Sequence, residues 1–216
     1  MIARAVIFDC DGVLVDSEEI SCSASAELLR AHGLLIDTAE IKRRFLGKSI
    51  DAVFEHCASI GRPLPPSYAD DKERLYEARA RGVLRAMPEI ERVLEELRRR
   101  EIPIAVATSG TPAKVAFSLK ETNLARFFDV VVTSSEVARG KPSPDLFLHT
   151  ARALAVEPAS CVVVEDSTPG IAASRAASML TVGYPSSHAR ATLVEAGAHR
   201  VIDRLSELLS LPELAG

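Results

Sequence analysis

The 216-residue sequence has no tryptophan, and aromatic residues make up only 5% of it. A surface that stacks single-stranded bases needs several exposed rings, so that class of function is excluded. An excess of one charge is also missing: 26 basic against 30 acidic residues give a net charge of −4, with the signs interspersed. That distribution offers neither a nucleic-acid footprint nor a polybasic membrane surface. No apolar run approaches the roughly 18 residues of a spanning helix. The first run, 5–8, meets Asp9 and Asp11 at once, which is too short for a signal-peptide core. The four cysteines (Cys10, Cys22, Cys57 and Cys161) lie far apart and form no C-x-x-C pair. Such cysteines read as reduced thiols, and the expected location is the cytoplasm. None has an arginine six residues on, which removes the simplest thiol-phosphatase loop.

What is present is a soluble globular balance, 47% hydrophobic and 26% charged. The length is large for one ordinary domain and small for two equal ones. It suffices for a core that needs no disulfide or metal staple. Short β-branched runs occur at 5–8, 104–108, 130–133, 162–164 and, weakly, 180–182. Between them lie helix-like stretches at 89–100, 112–122, 144–155 and 169–178. This alternation predicts a Rossmann-like α/β fold, a parallel sheet flanked by helices, and the unbroken apolar strands agree with burial on both faces. Thr111-Pro112, Ser143-Pro144 and Thr168-Pro169 each set a capping hydroxyl before a proline, a helix-start signal.

Residues 16–82 break the rhythm, with no strand and four helical patterns: a face of Ile20, Ala24, Leu28 and Ala31, then 38–45, 49–60 and 68–81. The expected organisation is a discontinuous core, 1–15 with 83–216, and an inserted all-α helical cap, 16–82. Gly47-Lys48-Ser49 resembles the end of a Walker loop, but Lys42 stands where that loop needs glycine. The five histidines show no metal-ligand spacing.

Four segments at predicted strand ends carry chemistry. In Phe8-Asp9-Cys10-Asp11-Gly12, alternation puts both carboxylates on one side, where they repel unless a cation intervenes. Thr108-Ser109-Gly110 offers a hydroxyl and backbone N–H groups suited to a phosphoryl oxygen. Gly140-Lys141-Pro142 pins one of only six lysines, against twenty arginines, in a rigid turn. Glu165-Asp166 closes an apolar strand with two acids, which is costly without a metal or a cation. Together they suit a carboxylate nucleophile attacking phosphorus, with Mg²⁺ reducing the repulsion between anions and a second carboxyl moving protons.

In these four ordered motifs the chain resembles the haloacid dehalogenase-like superfamily, specifically its small helical-cap subgroup of phosphatases and β-phosphoglucomutase. Arg44-Phe45-Leu46-Gly47-Lys48-Ser49 is similar to that subgroup's cap-loop motif. The resemblance implies that Asp9 is the nucleophile and a Mg²⁺ ligand. It makes Asp11 the general acid/base, with its backbone carbonyl at the metal. Thr108 and Lys141 would bind the phosphoryl group, helped by Ser109 and Gly110. Asp166 would be a metal ligand, and Glu165 a direct or water-mediated one. Glu18, Lys48 and Ser49 would face the substrate from the cap. The expected partner is a small phosphorylated metabolite, and a monomer suffices.

Mutases of this group carry a histidine, an arginine and a cap lysine; Ser21 and Ile50 occupy the first two positions, and no lysine lies near 76–79. Plain hydrolysis is therefore expected over a hexose-phosphate mutase. A phospho-aspartate receiver module combines similar residues, but in a shorter chain without a cap.

Overall fold

The computed structural model describes residues 3–48 and 50–214. Among these residues, six strands form one sheet: β1 (Ala5–Phe8), β2 (Ile104–Thr108), β3 (Val130–Thr133), β4 (Cys161–Glu165), β5 (Leu180–Gly183) and β6 (Arg200–Val201). Their order is β3-β2-β1-β4-β5-β6, and every pairing is parallel. The fold is thus the expected Rossmann-like α/β class.

Side-chain alternation explains the unbroken apolar strands. Val6, Phe8, Val106, Val162 and Val164 enter a cluster on one face of the sheet. Ala5, Ile7, Ala107, Cys161 and Val163 enter another on the opposite face. Helix α5 (Ile90–Arg99) covers the first face with Ile90, Val93, Leu94 and Leu97. Their spacing of three and four residues makes one helical stripe, and burying each contributes about 1.5–3 kcal/mol. Helix α6 (Pro112–Glu121) adds Val115 and Leu119 to the same face. Leu146, Phe147 and Ala151 of α7 (Asp145–Ala153), with Ala173 of α8 (Thr168–Ala176), cover the other.

The proline signals are met in part. Thr111 caps α6 as expected, with Pro112 in the first turn. At α8 the cap is Ser167, one residue earlier, whose side chain accepts from the Gly170 N–H. At α7 no side chain caps the helix, because Ser143 donates to the Asp145 carboxylate instead (2.8 Å). The short α9 (Arg190–Glu195) and β6 escape a reading by periodicity.

Helices α1 (Glu18–Ala31), α2 (Thr38–Phe45), α3 (Ile50–Ser59) and α4 (Tyr68–Ala80) lie between β1 and α5. They enclose a third cluster that includes Cys22, Ala26, Leu29, Ile41, Val53, Cys57 and Tyr68. Of the expected α1 face, Ala24 is buried and Ile20 and Leu28 pack half-buried against the clusters, but Ala31 is exposed. The buried surface is wider than that face and takes in Cys22, Ser25, Ala26 and Leu29, because small side chains let α2 and α4 pack closely on both sides. Helix α4 bridges two clusters: Tyr68 belongs to the third, while Tyr76 and Ala80 belong to the sheet-side core. Tyr76 Oη lies 2.9 Å from Ser118 Oγ of α6, both side chains buried. The two chain segments leading into and out of these helices run side by side, with Asp16 N donating to Arg85 O and Met87 N to Leu14 O, each at 2.9 Å.

Candidate active site

Strand order reverses at β1, which has β2 on one side and β4 on the other. Open parallel sheets bind ligands at the carboxyl ends of strands beside such a reversal. Asp9 is the first residue past β1, and its N–H donates to Val164 O of β4 at 3.0 Å. Gly12 then turns the chain with φ +78°, and a Cβ there would lie 2.0 Å from Asp166 Oδ2. Only glycine lets the loop pass that carboxylate.

Asp9, Glu165 and Asp166 are buried and offer carboxylate oxygens within 4.8 Å of one another. Lys141 reaches into this group. Its Nζ donates to Asp9 Oδ1 (2.6 Å), to Glu165 Oε1 and to Ala107 O (3.1 Å), and the Lys141–Pro142 peptide is cis. Glu165 Oε2 accepts from the N–H groups of Asp166 and Ser167 (3.1 Å each) and from Ser167 Oγ (2.8 Å). A Cβ at Gly170 would lie 1.9 Å from Glu165 Oε1, so the first turn of α8 needs glycine beside this carboxylate. Asp166 Oδ2 accepts from Ser186 Oγ (3.1 Å) and Ser187 Oγ.

Burial pushes the Asp9 carboxyl up to about 7, with Lys141 pulling it down and the Glu165 and Asp11 charges raising it. Burial, reinforced by the charges of Asp9 and Glu165, also raises Asp166 well above the carboxylate range. Crowded carboxylates with only oxygen donors fit a hard divalent cation such as Mg²⁺.

Asp11 points elsewhere, and its carboxylate is not part of that group. Lys114 Nζ of α6 donates to both oxygens (2.7 and 2.6 Å), and Ser17 Oγ donates to Oδ1. Burial works against the charge, but Lys114 outweighs it and holds Asp11 below its usual value. The Lys114 ammonium also sits 5.0 Å from the centre of the Tyr76 ring.

Asp9, Asp11, Lys114, Lys141 and Asp166 line one cavity of about 290 Å³ between the sheet and helices α1–α4, whereas Glu165 is fully buried. Thr108 is buried on its wall and its Oγ1 accepts from the Gly110 N–H (3.1 Å), beside Ser109. Glu18 lines the cavity but is held by Lys42 at 2.9 Å. Lys48 lines the rim and is exposed, while Ser49 lies outside the described residues. Ser21 and Ile50 also line the cavity.

Sequence reasoning missed Lys72 on α4 and Lys114 on α6. Four of the six lysines (Lys48, Lys72, Lys114 and Lys141) line the cavity, whereas none of the twenty arginines does. The scarcity that singled out Lys141 therefore pointed to the others as well. The search for a cap lysine near 76–79 looked one helical turn too late: Lys72 is the residue of α4 that reaches the cavity.

The profile of the haloacid dehalogenase-like hydrolases matches residues 3–178. Validoxylamine A 7′-phosphate phosphatase of Streptomyces hygroscopicus subsp. limoneus is 32% identical over 89% of this chain and 91% of its own. The 6-phosphogluconate phosphatase of Escherichia coli is 30% identical over 98% and 94%. In structure, CbbY from Rhodobacter sphaeroides in complex with phosphate superposes with a TM-score of 0.85, at 28% identity, covering 96% of each chain. The chain belongs to the haloacid dehalogenase-like hydrolase family.

Proposed function

We propose that this phosphoric monoester hydrolase is a Mg²⁺-dependent phosphatase of a small phosphorylated metabolite, a sugar phosphate or a close analogue. The observation that carries the reading is the buried group of Asp9, Glu165 and Asp166 around Lys141, at the carboxyl ends of β1 and β4. Asp9 and Asp166, with Glu165 directly or through water and the Asp11 backbone carbonyl, are the groups that would hold Mg²⁺. Bound there, the ion would offset the repulsion between the phosphate and the carboxylates.

The protein's own residues account for the rest. Lys141, Thr108 and the N–H groups of Ser109 and Gly110 hold the oxygens of the transferring phosphoryl group. An Asp9 oxygen attacks phosphorus as the ester oxygen leaves, giving an aspartyl phosphate. Asp11 gives its proton to the leaving oxygen and recovers one from the water that attacks the aspartyl phosphate. Lys114 holds Asp11 ionised, the state suited to taking that proton. Giving one first requires the Lys114–Asp11 pair to open when substrate enters.

Residues 16–82 act as the cap over a core of 1–15 and 83–216, with Glu18 and Lys48 on the substrate side. Hydrolysis fits better than a mutase, since Ser21 and Ile50 bring no charge to the cavity wall. The family match leaves no place for a receiver module. All four cysteines are free and buried, which supports a cytoplasmic location. No helix among the described residues is long and apolar enough to cross a membrane.

The test is phosphate release from a panel of sugar and acid phosphates, with Mg²⁺ or with EDTA, by the wild type and Asp9→Asn. Release that needs Mg²⁺ and disappears in the variant supports the reading. Equal release by both proteins refutes it.

A further inference from the structure

A carboxylate that holds a metal is aimed by the donors that occupy its remaining lone pairs. In the acidic group most oxygens are already engaged. Asp9 Oδ1 accepts from Lys141 Nζ at 2.6 Å, and Glu165 Oε1 accepts from the same ammonium. Glu165 Oε2 takes three donors from Asp166 and Ser167. Asp166 is gripped instead by three consecutive residues of the loop between β5 and α9. Ser186 Oγ (3.1 Å) and Ser187 Oγ both donate to its Oδ2. The His188 ring donates from Nδ1 to its backbone carbonyl oxygen at 3.0 Å. That acceptor carries no hydrogen, so Nδ1 bears the proton. Gly12 completes the enclosure: a Cβ there would lie 2.0 Å from Asp166 Oδ2 and 2.9 Å from Ser186 Oγ. Among the described residues, no donor reaches Asp9 Oδ2 or Asp166 Oδ1.

We propose that Ser186 and Ser187 are positioning residues for Asp166, whose hydroxyls hold Oδ2 so that this carboxylate presents one oxygen to the cation. This rests on the Mg²⁺ reading above and deepens it. A hydroxyl is a neutral donor, so the pair fixes the carboxylate without adding a charge that would repel a cation. With Oδ2 held, the two oxygens of Asp166 cannot close together on one ion. Ca²⁺ takes roughly 6–8 oxygens and accepts a carboxylate through both of them, whereas Mg²⁺ demands a near-ideal octahedron and keeps several waters. The clamp therefore favours the smaller ion. Ser187 is half-buried on the cavity wall and Ser186 is exposed. Water replaces an exposed hydroxyl more easily, so Ser187 carries the larger share. His188 secures the loop by holding the backbone of the same residue.

Mn²⁺ binding to the metal-free protein tests this, read from the electron paramagnetic resonance signal of the free ion. Mg²⁺ and Ca²⁺ added as competitors then give their own affinities. Ser187→Ala is expected to weaken Mg²⁺ roughly 10-fold, and Ser186→Ala with Ser187→Ala up to about 100-fold, the range for lost outer partners of metal ligands. Ca²⁺ loses less, because the freed Oδ2 can join Oδ1 on the larger ion, so the preference for Mg²⁺ falls. Ser187→Thr keeps the hydroxyl and stays near the wild type. Merely structural damage weakens both ions alike and leaves the preference unchanged. Thermal unfolding in EDTA identifies a variant that has not folded. Ser186→Ala, at an exposed position, then carries the test, with a smaller loss in the same direction. Unchanged Mg²⁺ affinity in the folded alanine variants overturns the proposal, and so does equal weakening of both ions. Failure of the underlying reading is distinct: a wild-type protein that binds no Mn²⁺.

Discussion

Replacing Lys141 by methionine removes the one cation inside the acidic group while keeping the aliphatic stem. Its side chain is 3% exposed, against 10% for Asp9 and 0% for Glu165, so water cannot take its place. Breaking a buried ion pair by deleting one partner costs about 3–5 kcal/mol. Glu165 keeps three other donors, from the Asp166 N–H and from the N–H and hydroxyl of Ser167. The lower end, about 3 kcal/mol, is therefore expected, or a Tm lower by roughly 6–12 °C for a chain of this size. The sign of the pH dependence follows from Asp9, whose carboxyl stands at about 7 rather than 3.8 even with Lys141 present. A carboxyl raised in the native state binds more protons there than in the unfolded chain. Its stabilisation is complete below the unfolded value and is lost as pH rises through the native one. Without Lys141 the native value rises further, so the deficit of Lys141→Met shrinks on acidification from about pH 8 to about pH 5. Urea titrations of both proteins in EDTA at several pH values measure this, and added Mg²⁺ is expected to narrow the gap by binding the folded acids. A variant in EDTA within about 1 kcal/mol of the wild type at pH 8 refutes the reasoning, because an uncompensated buried carboxylate pair cannot be that cheap.

Two further outcomes are expected. Gly170→Ala drives a Cβ onto Glu165, 1.9 Å from Oε1, and overpacking of this kind costs about 1–3 kcal/mol; an unchanged urea midpoint contradicts the packing described. Asp11→Asn slows phosphate release by roughly 10²- to 10⁴-fold while vanadate still inhibits. Because Asp11 is held below 3.8, its stabilisation is present above that value and lost as pH falls through the native one. The variant therefore loses less stability than the wild type on acidification below about pH 4, which acid-unfolding curves check.

Much of the fold could be read from the order of residues, for identifiable reasons. Strands buried on both faces must be apolar throughout, so runs such as Cys161–Glu165 stand out against amphipathic helices. Thr111-Pro112 fixed a helix start because hydroxyl and proline act on adjacent backbone groups. Two-residue β6 carries no periodicity. The α1 face was read only in part, because Cys22, Ser25 and Ala26 are buried for their small size, which an apolar pattern does not register. In the site, Asp9, Lys141, Glu165 and Asp166 were legible since each closes a strand or occupies a constrained turn. Lys114 was not: its partner Asp11 lies 103 residues away in the chain. The same holds for Lys72, which meets the site only through the packing of α4 over the cavity.

The central claim, that Asp9 carries the phosphoryl group, is tested most directly by trapping it. The enzyme is quenched during steady-state turnover of a good substrate with Mg²⁺, reduced with borohydride, and its peptides are weighed. An aspartyl phosphate at Asp9 is reduced to homoserine at that position, in an amount that follows substrate saturation. Turnover without any reduction at Asp9, or with reduction at another carboxylate, contradicts the account.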